Sequence, residues 1–209
     1  MGVYMNRAEL KSKAKEQLRG CWGIAIITVL VGNLFINATS LTSGLEYIVE
    51  ISDNLSLTLD LISIIFGGVI SIGLSKFLLN FTTNKEEAKF TDLFSQFNIF
   101  FKALGLNLLM GFAILFALLL LIVPGIIVAL MYSQACYILA EDPDKGIIEC
   151  LRESSNLMYG YKWEFFVLEL SFIGWWLLAG ITLGIGSLWV EPYQKVTETN
   201  FYLKLKYDI

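Results

Sequence analysis

Four ionisable residues in the last quarter of the chain lie in or beside otherwise apolar segments. They are Glu169, Glu191, Lys195 and Glu198. A charge near the centre of a bilayer costs about 2.5–3.5 kcal/mol on insertion scales, so each of these groups should find a partner or water. The sequence leaves two interpretations open. One is a polar cavity that binds a substrate, ion or peptide, and the other is a paired network that fixes the helix register.

Counting residues along the predicted helices indicates which of these groups can meet. At about 1.5 Å per residue, Glu169 and Lys195 lie at roughly 9 Å and 12 Å from the same membrane face. We therefore predict that Lys195 faces the interior of the bundle and pairs with Glu169, or with Glu191 or Glu198 on its own helix.

Most other reaction chemistry is missing from the sequence. The chain contains no histidine, which is the commonest general base and metal ligand. We find no phosphate-binding loop, nucleophile elbow or dinucleotide fingerprint. Cys21, Cys136 and Cys150 are widely separated and are expected to be free thiols. We therefore predict no catalytic residue, no metal site and no cofactor, and the scattered basic residues do not predict nucleic-acid binding.

The composition indicates the environment of the chain. Of 209 residues, 56% are hydrophobic and only 16% are charged, with a mean hydropathy of +0.66. Soluble domains are nearer half apolar and a quarter charged. We predict a single membrane domain over 1–209, folded as an all-α, polytopic bundle of membrane helices.

Six segments can be assigned as membrane spans, since about 20 apolar residues cross the hydrocarbon. The predicted spans are 20–41, 60–81, 103–123, 125–141, 163–181 and 184–203. The third and fourth come from one long uncharged run. We divide it at Pro124-Gly125, because proline lacks an amide donor and glycine tolerates a turn.

The basic residues predict the orientation. Lysine and arginine precede the first span and recur in 76–102 and 141–162, whereas 44–59 contains acidic residues and no basic one. Cytoplasmic loops carry the excess of lysine and arginine. With six spans Lys204 and Lys206 also lie inside, whereas with five spans they and Lys195 would lie outside. We therefore predict six spans with both termini in the cytoplasm.

Three amphipathic segments are predicted on the cytoplasmic side, at 1–19, 89–102 and 145–160. Each has apolar residues at helical spacing opposite charged ones, which is typical of helices that lie in the membrane interface. The expected architecture is three hairpins, each preceded by one such helix. Asp144 is predicted to be the N-cap of the third interfacial helix rather than part of a cation site.

Span two carries a stripe of small residues at four-residue spacing. They are Ser63, Gly67, Ser71 and Ser75. Such stripes allow helices to approach closely, and we predict packing within the chain in preference to dimerisation.

One long stretch carries a family resemblance: VPGIIVALMYSQACYILAEDPDKGIIECLRESSNLMYGYKWEFFVLELSFIGWWLLAGITLGIGSLWVEPYQKVTETNFY. It closely resembles the bacterial membrane-protein family catalogued as domain of unknown function number 975. FTDLFSQF and the N-terminal basic helix match more loosely, so the resemblance covers essentially the whole chain. The family is more distantly similar to the membrane segment of some glycerophosphodiester phosphodiesterases, a segment without the catalytic residues. The resemblance implies a six-span fold in a bacterial plasma membrane, and it supplies no site residues.

Two classes of function follow from these observations. We favour a non-enzymatic integral membrane protein that acts through its interfacial helices. Its expected partners are membrane lipids, with another membrane protein or a second copy of the chain as further candidates. The alternative is a small transporter or channel-like protein that uses the polar cluster of the last hairpin. A membrane enzyme ranks third, because only carboxylate, lysine and tyrosine side chains are available for catalysis.

Overall fold

The computed structural model describes residues 6–36 and 53–207, and this part of the chain is helical without any strand. Its α-helices are α1 Arg7–Leu18, α2 Trp22–Ile36, α3 Asp53–Thr83, α4 Phe100–Leu120, α5 Ile122–Tyr132, α6 Ala135–Glu141, α7 Ile147–Leu157, α8 Lys162–Leu170, α9 Ile173–Ile181 and α10 Ser187–Tyr207. Two 3₁₀ segments, Phe90–Phe94 and Phe97–Ile99, precede α4. The end of predicted span one, 37–41, and most of the acidic loop that follows lie outside the described residues.

Four helical segments are long and apolar enough to cross a membrane. They are Leu61–Thr83, Phe90–Leu120, Ile122–Glu141 and Lys162–Ile181. The pair α1 and α2, bent by 105° at the joint, gives a fifth candidate if it counts as one span. The last helix, α10, is too polar to meet the same criterion. The described residues therefore contain four or five candidate spans.

The long uncharged run breaks at Leu121, three residues before Pro124. Leu121 is extended, with φ −164° and ψ 153°, between the end of α4 and the start of α5. Pro124 then lies in the first turn of α5, where a missing amide donor costs no helical hydrogen bond. A Cβ on Gly125 would lie 2.3 Å from the Leu118 side chain, so glycine allows the two helices to cross closely. The predicted break is thus present, but it lies slightly earlier.

The N-terminal helix α1 packs against protein on its apolar face. Leu10, Ala14 and Leu18 are at most 2% exposed, and α1 contacts α10 and α3. An amphipathic pattern alone cannot distinguish a lipid surface from a protein surface. The apolar stripe in predicted segment 1–19 is therefore covered by the bundle.

The segment 89–102 is not one continuous α-helix. Its first part forms the two 3₁₀ segments, and Leu93 is fully buried between α2 and α3. A Cβ on Gly73 of α3 would lie only 2.0 Å from the Leu93 carbonyl oxygen, so glycine is required for this approach. The exposed rings of this segment lie on the other side of the chain: Phe90, Phe94, Phe97 and Phe101.

The helix α7 corresponds to predicted segment 145–160 and begins at Ile147. Its N-cap is Gly146, whose amide donates to the Glu149 carboxylate at 3.4 Å. The prediction that Asp144 caps this helix is therefore wrong. Cys150 is buried towards the bundle, whereas Ile148 is 59% exposed.

The last helix, α10, is buried over much of its length despite its polar sequence. Every side chain from Val196 to Leu203 is buried, and the helix contacts α1, α2, α3 and α9. Its buried hydroxyls donate to the preceding turn, as Thr197 does to the Tyr193 carbonyl at 2.7 Å and Thr199 to the Lys195 carbonyl at 2.8 Å. A polar helix is thus held inside the bundle, and its remaining polar groups define the candidate site.

Candidate functional site: a polar cavity beside the last helix

A cavity of about 320 Å³ lies between α2, α3, α6 and α10. Three charged residues of α10 line it: Glu191, Lys195 and Glu198. Its neutral polar lining consists of Asn33, Ser71, Ser75, Ser133, Cys136 and Tyr137. Several polar groups from different helices therefore converge on one space, which is the usual form of a small-ligand site.

The central contact of the cavity is an ion pair within α10. The Lys195 ammonium lies 2.9 Å from the Glu198 carboxylate, one turn further along the helix. Glu198 is nearly enclosed, with 11% of its side-chain surface exposed, whereas Lys195 retains 35%. Because both residues line the cavity, the accessible part of Lys195 faces that space.

Glu191 supplies the second carboxylate, one turn before Lys195. It is hydrogen-bonded to Asn33 of α2. Two carboxylates and one ammonium give the lining a formal charge of −1.

The three serine hydroxyl groups of the wall already donate their protons. Ser75 donates to the Ser71 carbonyl at 3.0 Å, and Ser133 donates to the Leu130 carbonyl at 2.8 Å. Ser71 donates to the Cys136 sulfur at 3.7 Å. A hydroxyl oxygen that has donated its proton can still accept a hydrogen bond. The serine oxygens and the carboxylates therefore supply acceptors that suit a cation or a ligand rich in donors, while the Lys195 ammonium and the Tyr137 hydroxyl can donate.

Glu169 does not line this cavity. Its carboxylate accepts a hydrogen bond from Gln194 at 2.5 Å, and Gln194 in turn accepts from the Trp176 indole at 2.7 Å. Of the four predicted residues, the structure brings Glu191, Lys195 and Glu198 together and directs Glu169 to Gln194 instead.

The stripe of small residues on α3 contributes both to packing and to the cavity. Ser63 donates to the Phe35 carbonyl at 2.9 Å, and Gly67 lies against the α2 backbone at Ile36. Ser71 and Ser75 then line the polar space. The predicted intramolecular contact is confirmed. Sequence reasoning missed Ser133 and Tyr137, which carry no motif and become neighbours only when α6 packs on α3.

Sequence comparison assigns the chain to a family. The sequence profile described as Protein of unknown function (DUF975) matches residues 1–124 and 112–208. The chain belongs to this family. No curated protein and no solved structure gives a significant match. The family named from the sequence is thereby confirmed, and the match extends over nearly the whole of this DUF975 protein.

A second polar cluster of this DUF975 protein joins α10 to α6 and α7. The Glu141 carboxylate accepts from Tyr202 at 2.7 Å and from Lys206. Glu153 lies 3.5 Å from Lys206 and 2.6 Å from Lys145. These groups satisfy one another, and no cluster of metal-ligating side chains occurs in the described ranges. We assign this cluster a structural role.

The three cysteines are free, as the sequence predicts. Cys150 is buried, and burial raises the pKa of its thiol to about 11. A thiol with such a pKa is protonated and unreactive at neutral pH.

Proposed function

We propose that this protein is a non-enzymatic, transporter-like or channel-like membrane protein that binds a small cationic solute in the polar cavity. One observation carries the proposal: Glu191, Lys195 and Glu198 converge on a space of about 320 Å³ within a bundle of apolar helices. A fully paired structural network would need no such volume. Ionisable residues at this depth mark substrate or ion pathways more often than packing sites.

The proposal includes six spans, with α10 as the sixth. Its low hydropathy fits this assignment, because the surrounding helices cover its polar side chains from Val196 to Leu203. Counted at about 1.5 Å per residue, Lys195 lies roughly 12 Å from Leu203, and Asn33 lies roughly 16 Å from Trp22. Both depths fall near the middle of a hydrocarbon core about 30 Å thick. We place the protein in the plasma membrane with both termini in the cytoplasm, as the basic residues predict.

The charge of the lining selects the class of solute. A formal charge of −1 and three serine oxygens whose protons are already donated favour a monovalent cation or a protonated amine. Such a solute can compete with the Lys195 ammonium for the Glu198 carboxylate. Lys195 would then move away from Glu198. Breaking this ion pair would open the site, and re-forming it would close the site.

The other class of function, action through interfacial helices, has less support. The apolar face of α1 is covered by α10 and α3, and Leu93 of the second segment is buried between α2 and α3. The apolar face of α1 is therefore not available to a membrane surface or a partner, whereas the second segment still exposes Phe90, Phe94, Phe97 and Phe101.

Native Cys136 allows a direct test, because it lines the cavity. In a Cys21→Ser, Cys150→Ala background we expect Cys136 to react with small methanethiosulfonate reagents, and faster with an aminoethyl than with a sulfonatoethyl reagent. Glu191→Gln should reduce this preference, because it removes one negative charge from the lining. Glu86→Gln, at an exposed position outside the cavity, is the matched control.

Transport is tested with purified protein in liposomes, using rubidium and methylammonium as probe cations. Uptake should exceed that of empty liposomes and fall in Glu198→Gln, but not in Glu86→Gln. A Cys136 thiol that resists both reagents, together with no uptake of either probe, would show a dry structural network and overturn the proposal.

A further inference from the structure

A second groove, of about 400 Å³, lies where α1 meets α2, α9 and α10. It shares no lining residue with the polar cavity. Its walls combine two cations with four aromatic side chains: Lys15, Arg19, Trp22, Trp175, Trp189 and Tyr193. This combination matches a ligand with an anionic head and an apolar body.

The cations belong to a regular stripe along α1. Arg7, Lys11, Lys15 and Arg19 follow one another at four-residue spacing, which places them on one face of the helix. The buried apolar face of α1 fixes the rotation of the helix and turns this stripe towards α9 and α10. Lys11 donates to the Ser171 carbonyl at 3.0 Å. The Lys15 ammonium lies 5.5 Å from the centre of the Tyr193 ring.

Among the described residues, no acidic side chain forms an ion pair with either cation of the groove, Lys15 or Arg19. The pKa of neighbouring Lys11 is lowered, first by burial and then by the positive charges of Lys15 and Arg7. An uncompensated positive charge therefore borders the groove, and an anion would neutralise it.

The helices that form the groove also carry exposed apolar side chains that suit acyl chains. Ile27 and Leu30 of α2 are 55% and 42% exposed, and Leu178 of α9 is 56% exposed. Trp175 and Trp189 are themselves 41% and 49% exposed at the groove.

We propose that this groove binds an anionic phospholipid of the cytoplasmic leaflet, with the phosphate on Lys15 and Arg19 and the acyl chains along Trp175 and Trp189. Basic pockets between helices on the cytoplasmic side are a known form of lipid headgroup site. The site depends on the membrane embedding of the protein and not on the polar cavity. A lipid bound here would hold α1 in place against α10, the helix that carries the charged residues of the cavity.

The test measures lipid selectivity through tryptophan fluorescence. Purified full-length protein is placed in bilayers that contain brominated phosphatidylglycerol or brominated phosphatidylcholine with identical chains, and quenching gives the relative association of the two lipids. Each basic residue near the membrane surface contributes roughly a fivefold preference for anionic lipid. We expect the wild type to prefer phosphatidylglycerol at least fivefold and Lys15→Gln/Arg19→Gln to lose that preference. Lys13→Gln/Lys89→Gln removes the same charge outside the groove and should retain it.

Two results would overturn the proposal. The first is equal quenching by the two lipids in the wild type, and the second is equal loss of preference in the control pair, which would indicate a diffuse surface charge. Competition by excess inorganic phosphate at matched ionic strength distinguishes a lipid site from a site for free anions, and complete competition would also contradict the proposal. If the double variant does not fold, exposed Arg19→Gln alone provides the same measurement. Cation uptake in the same preparations reports separately on the cavity.

Discussion

Gln17 of α1 and Asn200 of α10 form a reciprocal pair of amide hydrogen bonds that joins the two ends of the chain. The Asn200 amide donates to Gln17 at 2.6 Å, and Gln17 donates back at 3.2 Å. The Gln17 amide also donates to the Thr82 carbonyl at the end of α3 at 3.0 Å. Since Asn200 is only 1% exposed, this contact closes the bundle around α10.

The first prediction concerns this amide pair. Asn200→Ala should lower the free energy of unfolding by about 1–3 kcal/mol, because it removes a buried amide and leaves the half-buried Gln17 side-chain carbonyl without its donor. Gln17→Ala should cost a similar amount, and the double variant should cost clearly less than the sum. Chemical unfolding in detergent micelles measures all three values. Additive losses would show that the two amides do not interact.

A second prediction concerns the approach of Leu93 to α3. Gly73→Ala should destabilise the protein by about 1–3 kcal/mol or more, because the new methyl group would meet the Leu93 backbone oxygen. Gly111→Ala is the matched control, since a Cβ there meets nothing within 4 Å. Alanine is the better helix former, so the control should be neutral or stabilised by up to about 1 kcal/mol. Equal melting temperatures of the two variants would contradict the position of the 3₁₀ segment.

The positions of the helices could largely be predicted from sequence, whereas the surfaces they contact could not. Charge-free runs and Pro124 locate the break between α4 and α5 to within three residues, because both signals are local. The sequence predicts that the apolar faces of α1 and of segment 89–102 lie in the membrane interface, but the face of α1 packs on the bundle, while segment 89–102 buries Leu93 and leaves its four phenylalanine rings exposed. The same periodicity serves lipid and protein contacts alike, so only the packed structure distinguishes them.

In the candidate site too, the sequence predicts the position of a residue along its helix but not the partner that the residue contacts. Counting along the helices predicts a depth for Lys195, because the rise per residue is constant. The partner depends also on rotation about the helix axis, which changes by about 100° per residue. Gln194 therefore faces Glu169, while Lys195 faces the cavity and Glu198. That rotation is fixed by the neighbours of α10, which a single sequence does not identify.

The third prediction tests this assignment with two double-mutant cycles. Lys195→Met and Glu198→Gln should each destabilise by about 1–3 kcal/mol, because either change leaves an unpaired charge in the bundle, and the double variant should recover part of the loss. Lys195→Met combined with Glu169→Gln should be nearly additive, since these residues have different partners. Thermal melting in detergent measures the stability of each single and double variant in the two cycles. A larger coupling for Glu169 than for Glu198 would reverse the assignment.

The fourth prediction is a pH dependence at the end of α10. Burial by itself lowers the pKa of Lys206, but its hydrogen bond with Glu141 and the negative charge of that carboxylate outweigh this effect and hold the pKa above the ordinary value of 10.5. A lysine whose pKa is raised by folding stabilises the fold below its unfolded pKa and loses that contribution as the pH rises through the folded value.

Lys206→Gln should therefore destabilise the protein by about 1 kcal/mol at neutral pH, and the difference from wild type should shrink at alkaline pH, above the ordinary lysine pKa of 10.5. Lys204→Gln is the control, because the Lys204 partner, Glu9, is 59% exposed at its side chain and the pair should contribute little. Melting curves at both pH values measure the effect. A difference that stays constant into strong alkali would argue against an ionic role for Lys206.

The last prediction concerns the six-span topology, which depends on α10 crossing the membrane. We expect single cysteines at Leu57 and Val123, in a background without the native cysteines, to be labelled by an impermeant maleimide on intact cells. Cysteines at Lys85 and Tyr207 should be labelled only after permeabilisation, because lysine and arginine concentrate on the cytoplasmic side. All four positions are exposed in the fold, so protection would reflect the membrane and not burial. If a cysteine at Tyr207 were labelled on intact cells, α10 would not cross, and Lys195 would no longer lie at mid-membrane depth.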